Sequence, residues 1–390
     1  MVHSYYSSRS PSGENLAVEA EVSALRRAGH DVELFGARTD ELEGSLLYPL
    51  RTGLRTLTGR GRSPLKAIGA LDPDVVYIHN LFPNYSRSWV WKIDVPIVVA
   101  LHNYRPLCAN GLLFRAGTVC TQCPDGLRWS GLRHGCYRGS RLRTAPISWM
   151  NRNGPQADVL LRRADSIRVL SDLQRDVYIR AGIPEERLVV VPNFLPYELD
   201  PGADAIETST RSGWLTAARF TPEKGILEVL RGWPRDHALT IIGDGPLIAD
   251  IRQSVTGSSV DVRGPLDREG VVRAMTSSVG LLFPSLWYEA FPLVYAEALA
   301  AGLPVLATGV NAVSEMVVRD GTGWKSPRLE DLERLVPVAE SEASSLRATC
   351  RRRFEERYSE SSYLSAITRV LESVTHRTSP VAHAGLQPDA

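Results

Sequence analysis

Two glutamates, Glu289 and Glu297, lie eight residues apart around the expected start of a helix. The apolar run 279–283 predicts a buried strand, and a helix is expected from about Leu293. Glu289 would then lie in the loop and Glu297 about two turns along the helix. Backbone N–H groups at a helix start favour an anion such as phosphate, and carboxylates favour hydroxyl groups. A ligand that carries both is a sugar nucleotide.

Two cations lie at a second predicted junction between strand and helix. A strand from residue 214 ends at Arg219, and Lys224 follows a short turn and comes directly before a helix. This spacing places two positive groups where a diphosphate could bind. The glycines at 243–245 match neither the nicotinamide fingerprint nor a Walker A loop.

Two more predicted strands are followed by histidines, and an early turn contains a glycine. His79 and His102 come at the carboxyl ends of their strands, where parallel sheets form ligand crevices, so both imidazoles are expected to face the crevice. Gly13 follows the first strand. It would allow a close backbone approach to a ligand, and a plain turn glycine is the alternative.

Four of the five cysteines lie in one short segment with the spacing C-x11-C-x2-C-x12-C, and Cys350 stands apart. The sequence has no segment typical of secretion, which disfavours disulfides, and four thiolates suit a structural zinc ion. Free thiols and an iron–sulfur cluster are the alternatives. A four-thiolate site leaves no open position, so we expect no catalysis from this metal. The four residues are Cys108, Cys120, Cys123 and Cys136.

Alternating strands and helices predict an α/β protein with two Rossmann-like parallel-sheet domains that face each other across a cleft. Within them we expect a strand at 31–35 and a helical region at 144–164. The predicted order is an acceptor-side domain (1–195) with the cysteine insertion (108–136), a linker (196–213), a donor domain (214–358), a helix crossing back to the first domain (359–375) and a disordered tail (376–390).

These motifs resemble retaining glycosyltransferase family 4, whose fold is GT-B. The match comprises Glu289 and Glu297 as E-x7-E, and Arg219 and Lys224 as R-x4-K before a glycine. The resemblance implies that Glu289 and His102 act at the donor sugar and that Glu297 holds the ribose hydroxyls. It implies donor contacts from Gly13, Arg219, Lys224, Arg263, Gly264, Ala290, Phe291, Pro292, Leu293 and Glu297. Of these, Arg263 and Gly264 are expected nearest the nucleotide base, at the end of a short strand. Pro292 has no N–H, so this site offers one donor fewer than a relative with glycine there.

The resemblance implies a retaining transfer of sugar from a nucleotide diphosphate sugar, of UDP or GDP type, to a hydroxyl acceptor. No catalytic metal is expected, and the leaving phosphate oxygen would take the acceptor proton. The acceptor could be a glycan, as in polysaccharide biosynthesis, a glycolipid or other lipid-linked molecule, or a small metabolite. Two alternatives are an epimerase of nucleotide sugars and a zinc-stabilised binding protein without catalysis.

Charge and hydropathy set further expectations about partners. The chain has 390 residues and a net charge of +1, which does not indicate nucleic-acid binding. Residues 51–66 contain five cations and no carboxylate, and residues 128–143 contain five more arginines. We expect a cytoplasmic protein that could contact the inner membrane face through this basic region, and a solvated basic loop is the alternative. The first strand looks short for the family, as if it were clipped or began upstream.

Overall fold

Two six-stranded parallel sheets organise the computed structural model, which describes residues 1–8, 13–203 and 210–376. The first sheet has the order β2-β1-β3-β4-β7-β8 and the second the order β11-β10-β9-β12-β13-β14, and a short antiparallel hairpin joins β5 to β6. The strands are Val2–Tyr5 (β1), Phe35–Arg38 (β2), Val76–Asn80 (β3), Ile97–Ala100 (β4), Phe114–Arg115 (β5), Thr118–Val119 (β6), Ser166–Val169 (β7), Leu188–Val190 (β8), Trp214–Ala217 (β9), Leu239–Ile242 (β10), Val260–Arg263 (β11), Gly280–Phe283 (β12), Val305–Thr308 (β13) and Gly323–Ser326 (β14).

Helices cover both sheets, as parallel strands buried on two faces require. They are Gly13–Arg27 (α1), Thr39–Leu42 (α2), Tyr48–Thr58 (α3), Leu65–Leu71 (α4), Ser130–His134 (α5), Arg141–Met150 (α6), Val159–Arg163 (α7), Asp172–Arg180 (α8), Ile226–Leu230 (α9), Ile248–Ser254 (α10), Arg268–Ser277 (α11), Leu293–Ala300 (α12), Ala312–Asp320 (α13), Leu332–Arg357 (α14) and Glu360–Thr375 (α15). No helix among the described residues is long and apolar enough to cross a bilayer.

The strand order places a crevice at the same edge of both sheets. In the first sheet the order reverses between β1 and β3, and in the second it reverses between β9 and β12. At such a reversal the connections leave in opposite directions and open a ligand crevice at the carboxyl ends of the strands. The segments that follow β1, β9 and β12 contain Gly13, Arg219, Lys224 and residues 289–292 of the predicted site.

Helix α15 lies against the first sheet although it follows the second in the chain. Its buried side chains, including Ile367, pack with Tyr77 of β3 and Val98 of β4. The ring of Tyr363 stacks on Phe194, with centroids 4.3 Å apart and planes 19° apart. Helix α15, which follows the second sheet in the chain, is therefore anchored on the first sheet.

Two local predictions were wrong, for reasons the backbone shows. The strand expected at 31–35 begins at Phe35, because its partner β1 offers Val2–Tyr5 in register with Phe35–Arg38. The helical region expected at 144–164 divides into α6, a 3₁₀ turn at Pro155–Ala157 and α7. Gly154, with φ +83°, and the proline that follows it interrupt the helix. The expected tail lies, beyond His376, outside the described residues, as do residues 204–209 of the expected linker.

Candidate active site

A cavity of about 1250 Å³ lies between the carboxyl edges of the two sheets. Nine of the predicted donor-site and catalytic residues line it together: Gly13, His102, Arg219, Lys224, Glu289, Ala290, Phe291, Pro292 and Leu293. Three others, Arg263, Gly264 and Glu297, are not among its lining residues.

The most closely bonded group on the second-sheet side is the carboxylate of Glu289. Its Oε1 lies 2.6 Å from Nζ of Lys224, and its Oε2 accepts a hydrogen bond of 2.8 Å from the hydroxyl of Ser285. The side chain is 11% exposed, so this charge is held in a fixed place rather than in bulk solvent. With both Lys224 and Ser285 bound to it, the Glu289 side chain still lines the cavity.

A close backbone crossing positions the lysine. Gly225, with φ +67°, lies directly under the loop after β12, and a Cβ on it would come 2.1 Å from the carbonyl oxygen of Pro284. The amide of Leu286 also donates to the carbonyl of Glu223 over 2.9 Å. The two loops are therefore locked together, and this contact requires glycine after Lys224.

Anion-binding groups surround this pair. The N-terminus of α12 opens onto the cavity through residues 290–293. Its partial positive charge favours an anion there, although Pro292 contributes no N–H. The half-exposed guanidinium of Arg219 lines the same wall, with Nη2 3.9 Å from Glu223.

Glu297 and Arg263 lie apart from this lining. Glu297 is on α12, 3.6 Å from Nη2 of Arg268, and burial raises the pKa of its carboxyl while Arg268 partly offsets the rise. Arg263 ends the edge strand β11, and its Nε lies 2.7 Å from Asp261 on an exposed surface. Their contacts with ribose and base, and that of Gly264, stay predictions from the resemblance.

His102 faces the cavity from the first sheet and rests on a second histidine. Its Nε2 lies 3.0 Å from Nδ1 of His79, and the rings stack with centroids 5.3 Å apart. Burial lowers the pKa of both imidazoles well below the usual value, so both are neutral and one ring donates to the other. His79 is itself buried beneath His102 and does not line the cavity, contrary to the expectation that both face it.

A buried ion pair supports the histidines. Glu21 of α1 accepts from Arg168 over 2.5 Å and from Tyr363 over 2.7 Å, and its Oε2 lies 3.8 Å from Nε2 of His79. Ligand atoms of Glu21, His79 and His102 lie within 4.8 Å of one another. The adjacent guanidinium already neutralises the carboxylate and would repel a cation, so this group suits a positioning role better than a metal site.

Sequence reasoning missed a carboxyl group on the first-sheet side of the cavity, Glu14. Its Oε2 accepts a hydrogen bond of 3.0 Å from the amide of Asn103. Burial raises its pKa to about 7, with hydrogen bonds and the charge of Arg105 opposing the rise. A signal existed, since Glu14 directly follows Gly13, but a glutamate at a helix start is ordinarily explained by the helix dipole.

The four clustered cysteines converge beside α5. Cys120 and Cys123 follow the β5–β6 hairpin, and the thiol of Cys123 receives a hydrogen bond from the amide of Gly131. The pKa of the Cys123 thiol is raised to about 11, chiefly by burial and also by the three neighbouring cysteines, while the hydrogen bond from Gly131 opposes the rise. No disulfide joins the cysteines. Residues of this segment, including Leu112 and Tyr137, also line the cavity.

Four thiols in one segment, with an amide donor on one sulfur, suit a metal ion. A shared tetrahedral zinc would require sulfurs about 3.8 Å apart, given Zn–S bonds of about 2.3 Å. In the described part of the chain, the potential ligand atoms that lie within 4.8 Å of one another belong to Glu21, His79 and His102 rather than to the cysteines. Metal binding would therefore have to draw the four sulfurs together.

Comparison with known proteins assigns both halves of the chain. Residues 12–193 match the family model of the glycosyl transferase 4-like domain, and residues 212–341 match that of glycosyl transferases group 1. These matches, with the fold, place the chain among the glycosyltransferases of the GT-B type.

Particular relatives are distant. A GDP-mannose-dependent alpha-(1-6)-phosphatidylinositol dimannoside mannosyltransferase of Mycobacterium tuberculosis is 31% identical over 122 residues, 31% of this chain and 32% of that protein. A putative colanic acid biosynthesis glycosyltransferase of Escherichia coli is 26% identical over 199 residues, 46% of this chain and 48% of that one. The crystal structure of Anabaena Alr3699/HepE in complex with UDP has a TM-score of 0.61 at 14% identity and covers 95% and 99% of the two chains. The chain spans 19% to 63% of the first curated relatives it matches.

Proposed function

We propose that this protein transfers a sugar from a nucleotide diphosphate sugar to a hydroxyl group, with retention of configuration and without a catalytic metal. One observation carries the proposal: the Lys224–Glu289 pair, 2.6 Å apart, lies on the cavity wall next to the N-terminus of α12. A cation and a helix start suit a diphosphate, and a fixed carboxylate suits the sugar hydroxyls beside it.

The reaction breaks the bond between the anomeric carbon and the phosphate oxygen, and its electron pair leaves with the nucleoside diphosphate. Lys224, Arg219 and the start of α12 would stabilise the developing negative charge. The acceptor oxygen bonds to the same face of the sugar, and its proton passes to the departing phosphate oxygen. Glu289 would accept hydrogen bonds from sugar hydroxyls. His102, being neutral, would hydrogen-bond a hydroxyl without repelling a sugar that carries developing positive charge.

Two similar proteins support a nucleotide donor without choosing its base. The mycobacterial relative is named for its dependence on GDP-mannose, and the Anabaena structure holds UDP. The donor of this chain is therefore best sought among UDP and GDP sugars.

Nucleotide binding tests the proposal. We expect one of UDP, GDP and ADP to raise the melting temperature, in EDTA as well as in magnesium, and Arg219→Ala to reduce the shift. Arg252→Ala, an exposed arginine on α10 that does not line the cavity, is the matched control. Binding that requires magnesium would contradict metal independence, and no shift with any nucleotide would contradict a donor site.

Incubation with donor sugar alone separates the transferase from the two alternatives. An epimerase would convert the donor at full rate without acceptor. A binding protein without catalysis would consume no donor sugar, with or without acceptor. Glu289→Gln would leave the cellular function of such a protein intact. Product analysis by chromatography, with the anomeric configuration read by NMR, distinguishes these outcomes and tests retention.

We also propose that the cysteine segment binds one structural zinc ion, supported by the convergence of Cys108, Cys120, Cys123 and Cys136. The metal would fold the segment and take no part in catalysis. Elemental analysis of the purified protein should find one zinc per chain, and Cys120→Ser should lower both the zinc content and the melting temperature. Cys350→Ser, away from the segment, is the control for loss of a thiol. Full zinc retention in Cys120→Ser would contradict the proposal.

The acceptor is proposed as a hydroxyl-bearing glycan, glycolipid or metabolite. The colanic acid relative supports a role in polysaccharide biosynthesis, by name alone. Peripheral contact with an anionic membrane stays a prediction, supported by the exposed cations Arg51, Arg60, Arg62 and Lys66.

A further inference from the structure

The cavity continues beyond the crevice as a groove between α3 and α6. From α3 its walls include Leu50, Gly53 and Leu54, and from α6 they include Leu142 and Pro146. The groove is continuous with the space in front of His102 and Glu289, since the same cavity includes all these residues. A molecule that fills the groove therefore reaches the reacting centre.

The walls of this groove are apolar yet open to solvent. Leu50, Leu54 and Leu57 recur at helical spacing along α3, and they are 61%, 50% and 43% exposed. Leu142 across the groove is 85% exposed. An apolar stripe on a helix normally faces a core. Here the stripe borders a solvent-filled groove, which is typical of a binding surface for an apolar ligand.

A missing side chain keeps the groove open. Gly53 lies inside α3, where glycine weakens a helix. A Cβ at this position would meet only Cγ of Pro146, at 3.9 Å, so the space beyond it is available to a ligand. Helix α3 therefore has glycine, an unfavourable helix residue, at the position where a larger side chain would narrow the groove.

Cations line the part of the cavity between groove and crevice. The guanidinium of Arg105 lies 4.8 Å from the ring centre of Phe82 and 5.4 Å from that of Tyr137. The exposed side chains of Arg138 and Arg143 line the same cavity. Two carboxyl groups also line this side of the cavity: Glu14, at the crevice, and Glu43, which accepts a hydrogen bond of 3.3 Å from Ser7.

We propose that the groove between α3 and α6 binds the hydrocarbon chain of an amphiphilic acceptor whose phosphate groups contact Arg105, Arg138 and Arg143. The hydroxyl-bearing end of that acceptor then lies in the crevice, near Glu14. This inference rests on the proposed transferase function and names its substrate class, a lipid-linked phosphate or diphosphate. Arg105 is half-buried, whereas Arg138 and Arg143 are exposed where they line the cavity, so paired substitutions inside and outside the cavity are needed to separate this site from lipid head groups at a membrane surface.

Farnesyl diphosphate is the probe for this site, compared with inorganic diphosphate and with farnesol by titration calorimetry. We expect farnesyl diphosphate to bind at least about tenfold more tightly than either fragment, because it joins buried apolar surface to paired charge. Gly53→Phe should fill the groove and weaken farnesyl diphosphate binding about tenfold or more. Gly69→Phe in α4, where a Cβ would meet no heavy atom within 4 Å, should leave binding unchanged.

A charge comparison separates the groove from general attraction. Arg138→Ala with Arg143→Ala should weaken farnesyl diphosphate binding, whereas Arg133→Ala with Arg152→Ala, which removes the same charge outside the cavity, should not. Equal losses in both double variants, for farnesyl diphosphate and for phosphatidylglycerol vesicles, would show a membrane-surface effect and overturn the groove assignment. Unchanged binding in Gly53→Phe would also overturn it.

Nucleotide binding keeps the two proposals distinguishable. The thermal shift with the preferred nucleotide should persist in Gly53→Phe, because Gly53 lies on α3 in the first-sheet wall, whereas Lys224 and Glu289 lie in the second-sheet wall. Lost farnesyl diphosphate binding with a retained nucleotide shift supports the acceptor site. Farnesyl diphosphate binding to a wild-type protein that binds no nucleotide would remove the transferase proposal and keep the groove.

Discussion

The two walls of the crevice are built differently. On the second-sheet side, Arg219, Lys224 and Glu289 come from loops that directly follow β9 and β12 and are locked together at Gly225. On the first-sheet side, the lining comes from α1, α3, α6, the loop after β3 and the cysteine segment, which are far apart in the chain. One wall concentrates its charged groups in two adjacent loops, and the other spreads its charged groups over several helices and loops.

This difference indicates which wall the chemistry of the reaction constrains and which wall can vary with the acceptor. Stabilising a departing diphosphate needs the same cations and helix start whatever the acceptor is. Binding an acceptor depends on its shape, and that wall can be rebuilt from different helices and loops. We therefore expect substitutions on the second-sheet side to affect every reaction of the protein, and those on the first-sheet side to affect only steps that involve the acceptor.

The largest effect should come from Lys224→Ala. It removes the cation from the Glu289 carboxylate and from the proposed diphosphate site, and we expect a loss of turnover of about 10²–10³-fold, the usual cost of one transition-state donor. Transfer to an acceptor and hydrolysis of the donor by water should fall together. Both rates are measurable by release of nucleotide.

An exposed lysine provides the control for this variant. Lys92→Ala, on a 3₁₀ turn away from the cavity, should leave both rates within about twofold, since isolated surface charges contribute little. A Lys224→Ala enzyme that kept more than a tenth of its activity would show that the two walls share the stabilisation of charge.

Glu14→Gln should have a smaller and more selective effect. Loss of a charged hydrogen bond to an acceptor hydroxyl costs about 1.5–3 kcal/mol, or roughly 10–150-fold in kcat/KM for the acceptor. KM for the donor should not change. Since the pKa of Glu14 is raised to about 7, wild-type kcat/KM should fall below that pH, and the variant should lack this limb. A change in KM for the donor as large as the change in kcat/KM for the acceptor would show that Glu14 also contributes to donor binding.

The same carboxyl group should appear in the pH dependence of stability. The folded pKa is about 7 against an ordinary value of 4.5, so the folded state holds a proton that the unfolded chain releases between these values. The free energy of unfolding therefore falls as pH rises from about 4.5 to 7. Glu14→Gln should remove this loss, gaining at most about 3 kcal/mol relative to wild type above pH 7.

Urea unfolding at pH 5 and pH 8 measures the effect. Glu19→Gln on the exposed face of α1 is the control and should shift both values alike. If the difference between Glu14→Gln and wild type were the same at both pH values, the Glu14 carboxyl would not be held protonated by burial.

The comparison of the two walls also explains how much the sequence could predict. Two parallel-sheet α/β domains followed from the alternation of apolar runs with helical patterns, and the GT-B architecture is confirmed by the structural neighbours. Lys224 and Glu289 could be predicted to meet because both lie just after strands of one sheet. In a parallel sheet that position alone brings side chains to the same edge.

The acceptor-side wall could not be predicted in the same way. Leu54 and Leu142 become neighbours only because α3 crosses α6, and no local pattern in the sequence specifies that crossing. Glu14 and Asn103 are 89 positions apart, and their hydrogen bond depends on how α1 meets the loop after β4. His79 lies near the carboxyl end of β3 as predicted, yet it is buried beneath His102 and does not line the cavity.

Arg263→Ala should have the smallest effect. It tests whether the edge strand β11 contributes to the second-sheet wall of the crevice. The resemblance places this residue near the nucleotide base, while the structure pairs its side chain with Asp261 at an exposed site outside the cavity lining. If the base meets the backbone at residues 263–264 rather than the guanidinium, KM for the donor should change by less than about threefold, because an exposed ion pair contributes little. A larger rise, specific to one nucleotide base, would extend the donor wall to β11 and assign Arg263 to base recognition.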